Sequence, residues 1–232
     1  MKGDIMTNLA SGSFGLNNLN NKEDNMKKAT WIVITGLDGS GKTHLVDNLA
    51  EHYRSQGLKV KTAHLPFDKH LGVEVLPKLQ LKYSDRLLFA LDNHIFAAQL
   101  QEWFDEYDII ISQRGWFDSF VHGAVQGFSY SEIAQLNQVQ LLPKCDVMIH
   151  LVCSTPVAYD RIKDDPDADK FEYPEYIHTQ EVETRRGFNE LFAGNSDLAA
   201  FQGCKNFLID TTWMSIEDTF AQSLIWLSAI GM

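Results

Sequence analysis

The sequence predicts an α/β protein with three layers, in which a parallel sheet of about five strands is covered by helices on both faces. Apolar, β-branched runs alternate along the chain with segments of helical periodicity. The first run, residues 30–35, is continuously apolar, which is typical of a parallel strand buried on both faces, whereas the second run, residues 58–64, alternates. A glycine-rich segment, residues 36–43, directly follows the first run. The predicted strands are residues 30–35, 58–64, 107–112, 145–152 and 207–210.

The helices between the strands are predicted from apolar residues that recur every three or four positions. In the first helix, residues 43–56, these include Leu45, Leu49 and Tyr53, and Gly57 follows as the C-cap. The other predicted helices are residues 70–80, 84–106, 116–125, 131–142, 156–163, 175–192 and 215–230. The apolar side of the helix over residues 84–106 is expected to consist of Leu87, Leu88, Leu91, Ile95, Ala98 and Phe104.

The glycine-rich segment matches the phosphate-binding pattern Gly-x-x-x-x-Gly-Lys-[Ser/Thr] at every required position. Its backbone N–H groups and the start of the following helix would surround the phosphates of ATP. Lys42 would bridge the β- and γ-phosphates, and the Thr43 hydroxyl would bind Mg²⁺. The loop residues predicted to bind ATP are Gly36, Gly39, Ser40, Gly41, Lys42 and Thr43. This strand, loop and helix predict the P-loop NTPase form of the fold and argue against a glycine turn that binds nothing.

Charge and composition exclude several other classes of function. The 232 residues carry a net charge of −11, which argues against a general nucleic-acid or membrane-surface binder. No apolar run approaches the ~18 residues that a membrane span needs. Cys145, Cys153 and Cys204 have no metal-ligand spacing and are expected to be buried thiols of a reducing compartment. We therefore expect a cytoplasmic protein whose partners are small molecules.

From about residue 30 to residue 230, the order and spacing of these segments resemble thymidylate kinase and its relatives among P-loop nucleoside monophosphate kinases. Asp38 matches the acidic loop residue that contacts the sugar 3′-hydroxyl of the acceptor nucleotide in that family. Leu87-Leu88-Phe89-Ala90 resembles the family helix whose Phe stacks on the acceptor base. Gln113-Arg114 stands at the Asp-Arg pair, where the Arg binds the phosphates of donor and acceptor. The resemblance also implies a homodimer.

Three of these residues also have a simpler explanation. Asp38 could cap a turn, Phe89 fits a hydrophobic core about as readily as a base platform, and Arg114 could be an ordinary surface residue. A guanidinium at the carboxyl end of a strand is nevertheless well matched to phosphate binding. We therefore keep Asp38 and Arg114, with Lys42, as the predicted catalytic residues.

The chain departs from the family at three positions. The acidic residue of the Asp-Arg pair is the neutral Gln113, so the metal site is expected to be weaker. His64 stands in place of a phosphate-binding Arg and would make its contact weaker and pH-dependent. Asn93 stands where the family has a base-reading Arg, and an amide both donates and accepts. A modified or non-thymine deoxynucleotide is therefore the expected acceptor.

The domain prediction is a flexible leader over residues 1–28 followed by one P-loop kinase domain over residues 29–232. Residues 164–174 are polar and charged, which suits a short lid. Family members without an Arg in the phosphate loop usually carry a catalytic Arg in the lid. Here Lys170 or Arg161 would have to take that role.

The predicted function is phosphoryl transfer from ATP to a nucleoside monophosphate. The first alternative is a deoxynucleoside kinase or another hydroxyl-acceptor kinase, for which Asp38 and Asp68 are the nearest candidate bases. The second is a nucleotide-binding regulator without turnover, which Gln113 and the acidic lid would suit. Lys42 and Thr43 argue against that regulator.

Overall fold

The computed structural model describes residues 29–75, 78, 82–164 and 173–232, without the side chains of residues 72, 73 and 82. Two predictions therefore lie outside the described residues. One is the leader over residues 1–28. The other is most of the lid, residues 165–172, with Lys170.

Five parallel strands form the sheet, which confirms the predicted fold class. They are β1 Thr30–Gly36, β2 Val60–His64, β3 Ile109–Gln113, β4 Val147–Val152 and β5 Lys205–Asp210. Their spatial order is β2-β3-β1-β4-β5, so β1 lies in the centre between β3 and β4. In open parallel sheets, ligands bind outside the carboxyl ends of the strands where the strand order reverses. The phosphate loop leaves β1 at that point.

In the part of the chain that the structure describes, seven α-helices follow the predicted order within one or two residues at most ends. They are α1 Lys42–Ser55, α2 Lys82–Glu106, α3 Trp116–Val125, α4 Tyr130–Asn137, α5 Thr155–Ile162, α6 Pro174–Phe192 and α7 Ile216–Ala229. The helix predicted over residues 131–142 ends early, because Gln138 has a positive φ of 47° and a 3-10 turn follows. A 3-10 segment at Ser196–Phe201 was not predicted, and His70–Val75 forms a π-helical turn. Among the described residues, no helix is both long and apolar enough to cross a membrane.

The predicted apolar side of α2 is partly wrong. Leu87 and Leu91 are 51% and 53% exposed, and Ala98 is exposed as well. The buried side instead carries Leu88, Phe96, Ala97, Leu100, Trp103 and Phe104. The helix is turned this way because the Phe96 ring packs edge-on against Trp31 and Trp116, with ring centroids 6.0 and 5.6 Å away.

Alternate residues of β1 enter two different cores. Trp31 and Val33 join the aromatic cluster with α2 and α3, whereas Ile32 and Ile34 pack against α1 and α7. Burial on both faces fixes the central strand in the molecule. The loop at its carboxyl end is therefore built on a rigid base.

Candidate active site

The phosphate loop takes a path that only glycine permits at two positions. Gly36 and Gly39 have φ values of +136° and +78°. A Cβ atom on Gly36 would lie 1.9 Å from the Leu151 carbonyl oxygen, and one on Gly39 would lie 2.4 Å from that of Ala158. The loop is therefore held tightly against the end of β4 and against α5, with its path set before any ligand binds.

Lys42 is the buried cation of the loop. Its side chain is 4% exposed, and Nζ donates to the Leu37 carbonyl oxygen at 2.8 Å and to Asp38 Oδ1 at 3.0 Å. Burial lowers the pKa of Lys42, and the negative charge of Asp38 acts in the opposite direction. The ammonium is thus fixed at the place where the loop would hold a phosphate.

Asp38 joins Lys42 to Arg114. Arg114 Nη2 donates to the same oxygen, Asp38 Oδ1, and Nη1 donates to the Leu65 carbonyl oxygen at 3.4 Å. Arg114 directly follows β3 and has a φ of 68°, a left-handed conformation that residues other than glycine rarely adopt. Three of the four predicted catalytic residues, Lys42, Asp38 and Arg114, are therefore joined through one oxygen atom of Asp38, and the fourth, Lys170, lies outside the described residues.

Asp38 is ionised at every physiological pH. Burial by itself would raise its pKa, but the positive charges of Arg114 and Lys42 outweigh burial and hold the pKa of this carboxyl well below its usual range. A general base works best with a pKa near the working pH. Asp38 is therefore a binding group rather than a proton acceptor. The other candidate base, Asp68, accepts hydrogen bonds from the backbone N–H groups of His70 and Leu71.

Thr43 and Gln113, the two predicted metal-binding residues, are neighbours. Thr43 Oγ1 donates to Gln113 Oε1 over 3.1 Å. These are oxygen ligands of the kind that Mg²⁺ prefers, and both border the same cavity. Among the described residues, no group of three or more His, Cys, Asp or Glu side chains could hold a metal ion. The residues fit an Mg²⁺ ion that gains most of its ligands from phosphate oxygens and water.

His64 faces the same cavity from the end of β2. Desolvation in the site, followed by the positive charges of Arg114 and Lys42, lowers the pKa of His64 to about 4. The imidazole is therefore neutral near pH 7 in the free protein. A phosphate contact through a charged His64 requires an incoming anion to raise that pKa again.

A cavity of about 940 Å³ opens beside the loop. Arg161 forms part of its wall, where Nη1 donates to the Gly39 carbonyl oxygen and Nη2 to that of Thr211, both over 3.0 Å. The Thr211 hydroxyl in turn donates to the Ser40 carbonyl oxygen at 3.0 Å. Arg161 thus ties the loop to the end of β5, a structural contact that sequence reasoning did not find.

Phe89 and Asn93 on α2 differ in what they can offer an acceptor base. Phe89 is partly exposed and lies outside the buried hydrophobic clusters, as a base platform requires. Asn93 is 3% exposed, and its Nδ2 donates to Ser119 Oγ at 2.9 Å and to Asn137 Oδ1 at 2.7 Å. In this conformation both N–H donors of the Asn93 amide are bound to protein atoms, and the predicted reading of the base by Asn93 stays a prediction.

Two residues near the site, the buried Asp118 and the half-buried His122, were missed in the sequence. The Asp118 carboxylate accepts a hydrogen bond from the Gly115 backbone N–H at 2.9 Å. An acidic residue three positions after a loop glycine is a recognisable sign of a helix start, so Asp118 could have been found. His122 is not among the predicted site residues, yet its Nδ1 lies 2.7 Å from the Tyr176 hydroxyl, and α3 and α6 bring that pair toward Asp38. The sequence carried no signal for this contact between distant helices.

Most of the chain matches a known protein family. Residues 34–201 match the family described as thymidylate kinase. The chain belongs to the thymidylate kinase family. Membership confirms the predicted nucleoside monophosphate kinase, a phosphotransferase that uses ATP as the phosphate donor. The two alternatives, a hydroxyl-acceptor kinase and a regulator without turnover, are not favoured.

Individual thymidylate kinases share a quarter to a third of the aligned residues. The probable thymidylate kinase 1 of Saccharolobus solfataricus is 34% identical over 151 residues, which cover 63% of this chain and 75% of that protein. The thymidylate kinase of Caldicellulosiruptor saccharolyticus is 27% identical over 209 residues, or 83% and 93% of the two chains. Among solved structures, thymidylate kinase from Candida albicans superimposes with a TM-score of 0.62 at 18% identity, covering 87% of this chain and 92% of that one. This last likeness concerns the fold alone.

Proposed function

We propose that the protein transfers the γ-phosphoryl group of ATP to the 5′-phosphate of a deoxynucleoside monophosphate, with a modified or non-thymine base preferred. The observation that supports this most is the shared oxygen of Asp38, which accepts from Lys42 at 3.0 Å and also from Arg114. One cation belongs to the phosphate loop and the other to the end of β3. Donor and acceptor phosphates bound to these two groups would meet at one point.

The donor phosphates would lie in the loop between β1 and α1. Backbone N–H groups of the glycines and the start of α1 supply hydrogen bonds and a partial positive charge. Lys42 would turn from the Leu37 carbonyl oxygen to the β- and γ-phosphates, a movement of the ammonium alone. The fixed donors then lie where negative charge develops during transfer, which is how such sites lower the barrier.

Mg²⁺ is proposed as the metal cofactor, with Thr43 and Gln113 as its protein-side groups. When bound, Mg²⁺ neutralises developing charge on the phosphate oxygens. Thr43 Oγ1 would bind the ion directly, and the Gln113 amide oxygen would accept from one of its water ligands. Gln113 adds no negative charge, so this site depends more on phosphate than a carboxylate site does.

The acceptor would lie on the Arg114 side of Asp38. Asp38 would bind the sugar 3′-hydroxyl, and Phe89 would stack on the base. A phosphate acceptor is favoured over a hydroxyl because its oxygen is already anionic and needs no base. The low pKa of Asp38 leaves this carboxylate a poor proton acceptor.

Three further parts of the proposal have other grounds. A homodimer rests on the family resemblance, and a cytoplasmic location rests on the composition and the cysteines of the chain. A lid over residues 164–174, from which Lys170 would reach the transferred phosphate, rests on the polar and charged sequence of that segment.

Release of ADP with a panel of deoxynucleosides and their 5′-monophosphates, measured in a coupled assay, tests the proposed reaction. We expect turnover with at least one monophosphate and none with the matching nucleoside. Turnover with nucleosides alone would support a hydroxyl-acceptor kinase instead. ATP binding without turnover for any acceptor would support the regulator.

A further inference from the structure

Arg86 is a buried cation whose charge the fold does not fully satisfy. It lies in the second turn of α2 and is 3% exposed. Its Nε and Nη2 atoms have no hydrogen-bond partner among the described residues. A buried donor without a partner costs free energy, and a charged one costs more. A ligand that accepts from these atoms would offset that cost.

The surroundings of Arg86 connect it to the acceptor side of the site. Its Cζ atom lies 4.8 Å from the centre of the Phe89 ring, the proposed base platform. His122 lies within electrostatic reach of Arg86, Arg114 and Asp38, whose charges all act on its imidazole. Arg86 therefore belongs to the same buried polar region as the catalytic cations, on the side where the base would stack.

Arg86 also supplies what Asn93 lacks. Both donors of the Asn93 amide are bound to Ser119 and Asn137. Of Asn93 and Arg86, it is therefore Arg86 that has N–H donors without a partner in the described part of the chain. Arg86 precedes Asn93 by seven positions, which is two turns of α2.

We propose that Arg86 determines the base specificity of the acceptor site, by donating from Nε and Nη2 to two adjacent acceptor atoms on the edge of the base. The proposal rests on the proposed function. Nε–H and one Nη2–H lie side by side in a rigid fork, which matches two neighbouring acceptors and not one. Cytosine offers O2 and N3, and guanine offers O6 and N7. Thymine has an N–H donor between its two carbonyl groups, so it satisfies only one arm of the fork.

Kinetic specificity of two Arg86 variants tests the assignment. For the wild-type protein, we expect kcat/KM for the better of dCMP and dGMP to exceed that for dTMP by at least about tenfold, since a site built to hydrogen-bond a group rejects an analogue lacking it. Arg86→Met keeps the packing of the stem and should abolish that preference, mainly through KM of the acceptor, with KM of ATP unchanged. Arg86→Lys keeps the positive charge but lacks the two parallel N–H donors, so this variant should not show the base preference either.

Arg186 provides a matched control. Its Cζ atom also lies 4.8 Å from an aromatic ring, that of Tyr130, but its Nη1 is paired with Glu183 at 3.1 Å. Arg186→Met should leave the base preference unchanged. Arg86→Met should not lower Tm, because the fold loses a buried charge with unsatisfied donors.

Four results would overturn the proposal. The first is a wild-type preference for dTMP, and the second is an unchanged base preference in Arg86→Met. The third is a base preference in Arg86→Lys that equals that of the wild type. The fourth is a loss of activity in Arg86→Met together with a lowered Tm, which would show a structural role for Arg86. If the wild-type protein phosphorylates no nucleotide at all, the proposed function fails first, so the two failures are distinguishable.

Discussion

Asp38 Oδ1 is the atom on which two cations of the site converge, and this contact organises the chemistry. Lys42 comes from the phosphate loop and Arg114 from the end of β3, so one carboxylate fixes groups from two elements. If either Lys42 or Arg114 is replaced, the other cation remains paired with Asp38. Variants of the cations should therefore change activity more than folding.

Replacing Lys42 tests the donor site at the residue scale. Lys42→Met removes the ammonium that would bind the β- and γ-phosphates, so we expect kcat to fall by at least about 10²-fold, the usual effect of losing one fixed charge-stabilising donor. The fold should persist, because Arg114 still pairs with Asp38. Steady-state ADP release and Tm measure both effects. Lys205→Met, on an exposed residue of β5, is the control. A folded Lys42→Met protein with wild-type turnover would contradict the phosphate-loop assignment.

Gln113 is the residue through which the metal site can be strengthened. Gln113→Asp places a carboxylate near Thr43, one methylene short of the amide oxygen that now lies 3.1 Å from Thr43 Oγ1. Added attraction of about 1.4 kcal/mol would lower the Mg²⁺ concentration for half-maximal activity roughly tenfold. Magnesium titrations of turnover measure this, with Gln135→Asp on the exposed side of α4 as the control. An unchanged or higher Mg²⁺ requirement would exclude Gln113 from the metal site.

Part of this residue-scale picture follows from the sequence. Lys42 and Thr43 lie in a local pattern whose spacing determines their roles. The hydrogen-bond partners of Asn93 do not follow from the sequence, because Ser119 and Asn137 lie 26 and 44 residues away on other helices. No local pattern reports that its amide is already bound.

At the scale of elements, the phosphate loop depends on the close approach of β1 to β4. Gly36 and Gly57 both have positive φ values, but a Cβ atom on Gly36 would overlap the Leu151 carbonyl oxygen, whereas Gly57 has open space around it. Gly57→Ala should lower the free energy of unfolding by about 1 kcal/mol through backbone strain alone.

Gly36→Ala should lower the free energy of unfolding by more than about 4 kcal/mol, because the central strands must separate to admit the methyl group. Urea unfolding of both variants measures the difference. If both variants lost the same free energy of unfolding, the sheet would have to deform easily at Gly36. That result would contradict the rigid base that we assign to the phosphate loop.

The elements themselves were predictable to different degrees. Apolar runs located β1, β3, β4 and β5, whereas β2 was located from the alternation of its residues. In the three central strands, burial on both faces leaves little choice of residue. The orientation of α2 was not predictable, since Leu87 and Leu91 have the same periodicity as the residues that are buried. Packing of Phe96 against Trp31 and Trp116 decides which side faces the core, and that contact is tertiary.

At the scale of the whole molecule, buried neutral histidines should make the fold sensitive to acid. Burial lowers the pKa of His150 to about 4, and burial with the nearby charge of Arg114 lowers that of His122 to about 3. The unfolded chain takes up these protons near the ordinary value of 6.5, before the folded protein does. Stability is therefore complete above pH 6.5 and is lost as the pH falls toward 4.

Unfolding measured at pH 7 and pH 5 tests this sensitivity. His122 and His150 should each account for about 2 kcal/mol of the free energy of unfolding that is lost between pH 7 and pH 5. His150 is fully buried with its ring against Phe117 and Phe188, so His150→Phe should remove its share of the loss. His44→Gln, on the exposed part of α1, should change the loss little. An identical loss in His150→Phe and wild type would refute this explanation.

The central claim is the transfer of a phosphoryl group from ATP to the phosphate of a nucleotide, and the product formed from γ-labelled ATP tests it most directly. With a mixture of deoxynucleoside 5′-monophosphates as acceptors, we expect the label in the β-position of a nucleoside diphosphate, one for each ADP released. Label recovered only as inorganic phosphate, or as a monophosphate when nucleosides are supplied, would contradict the account.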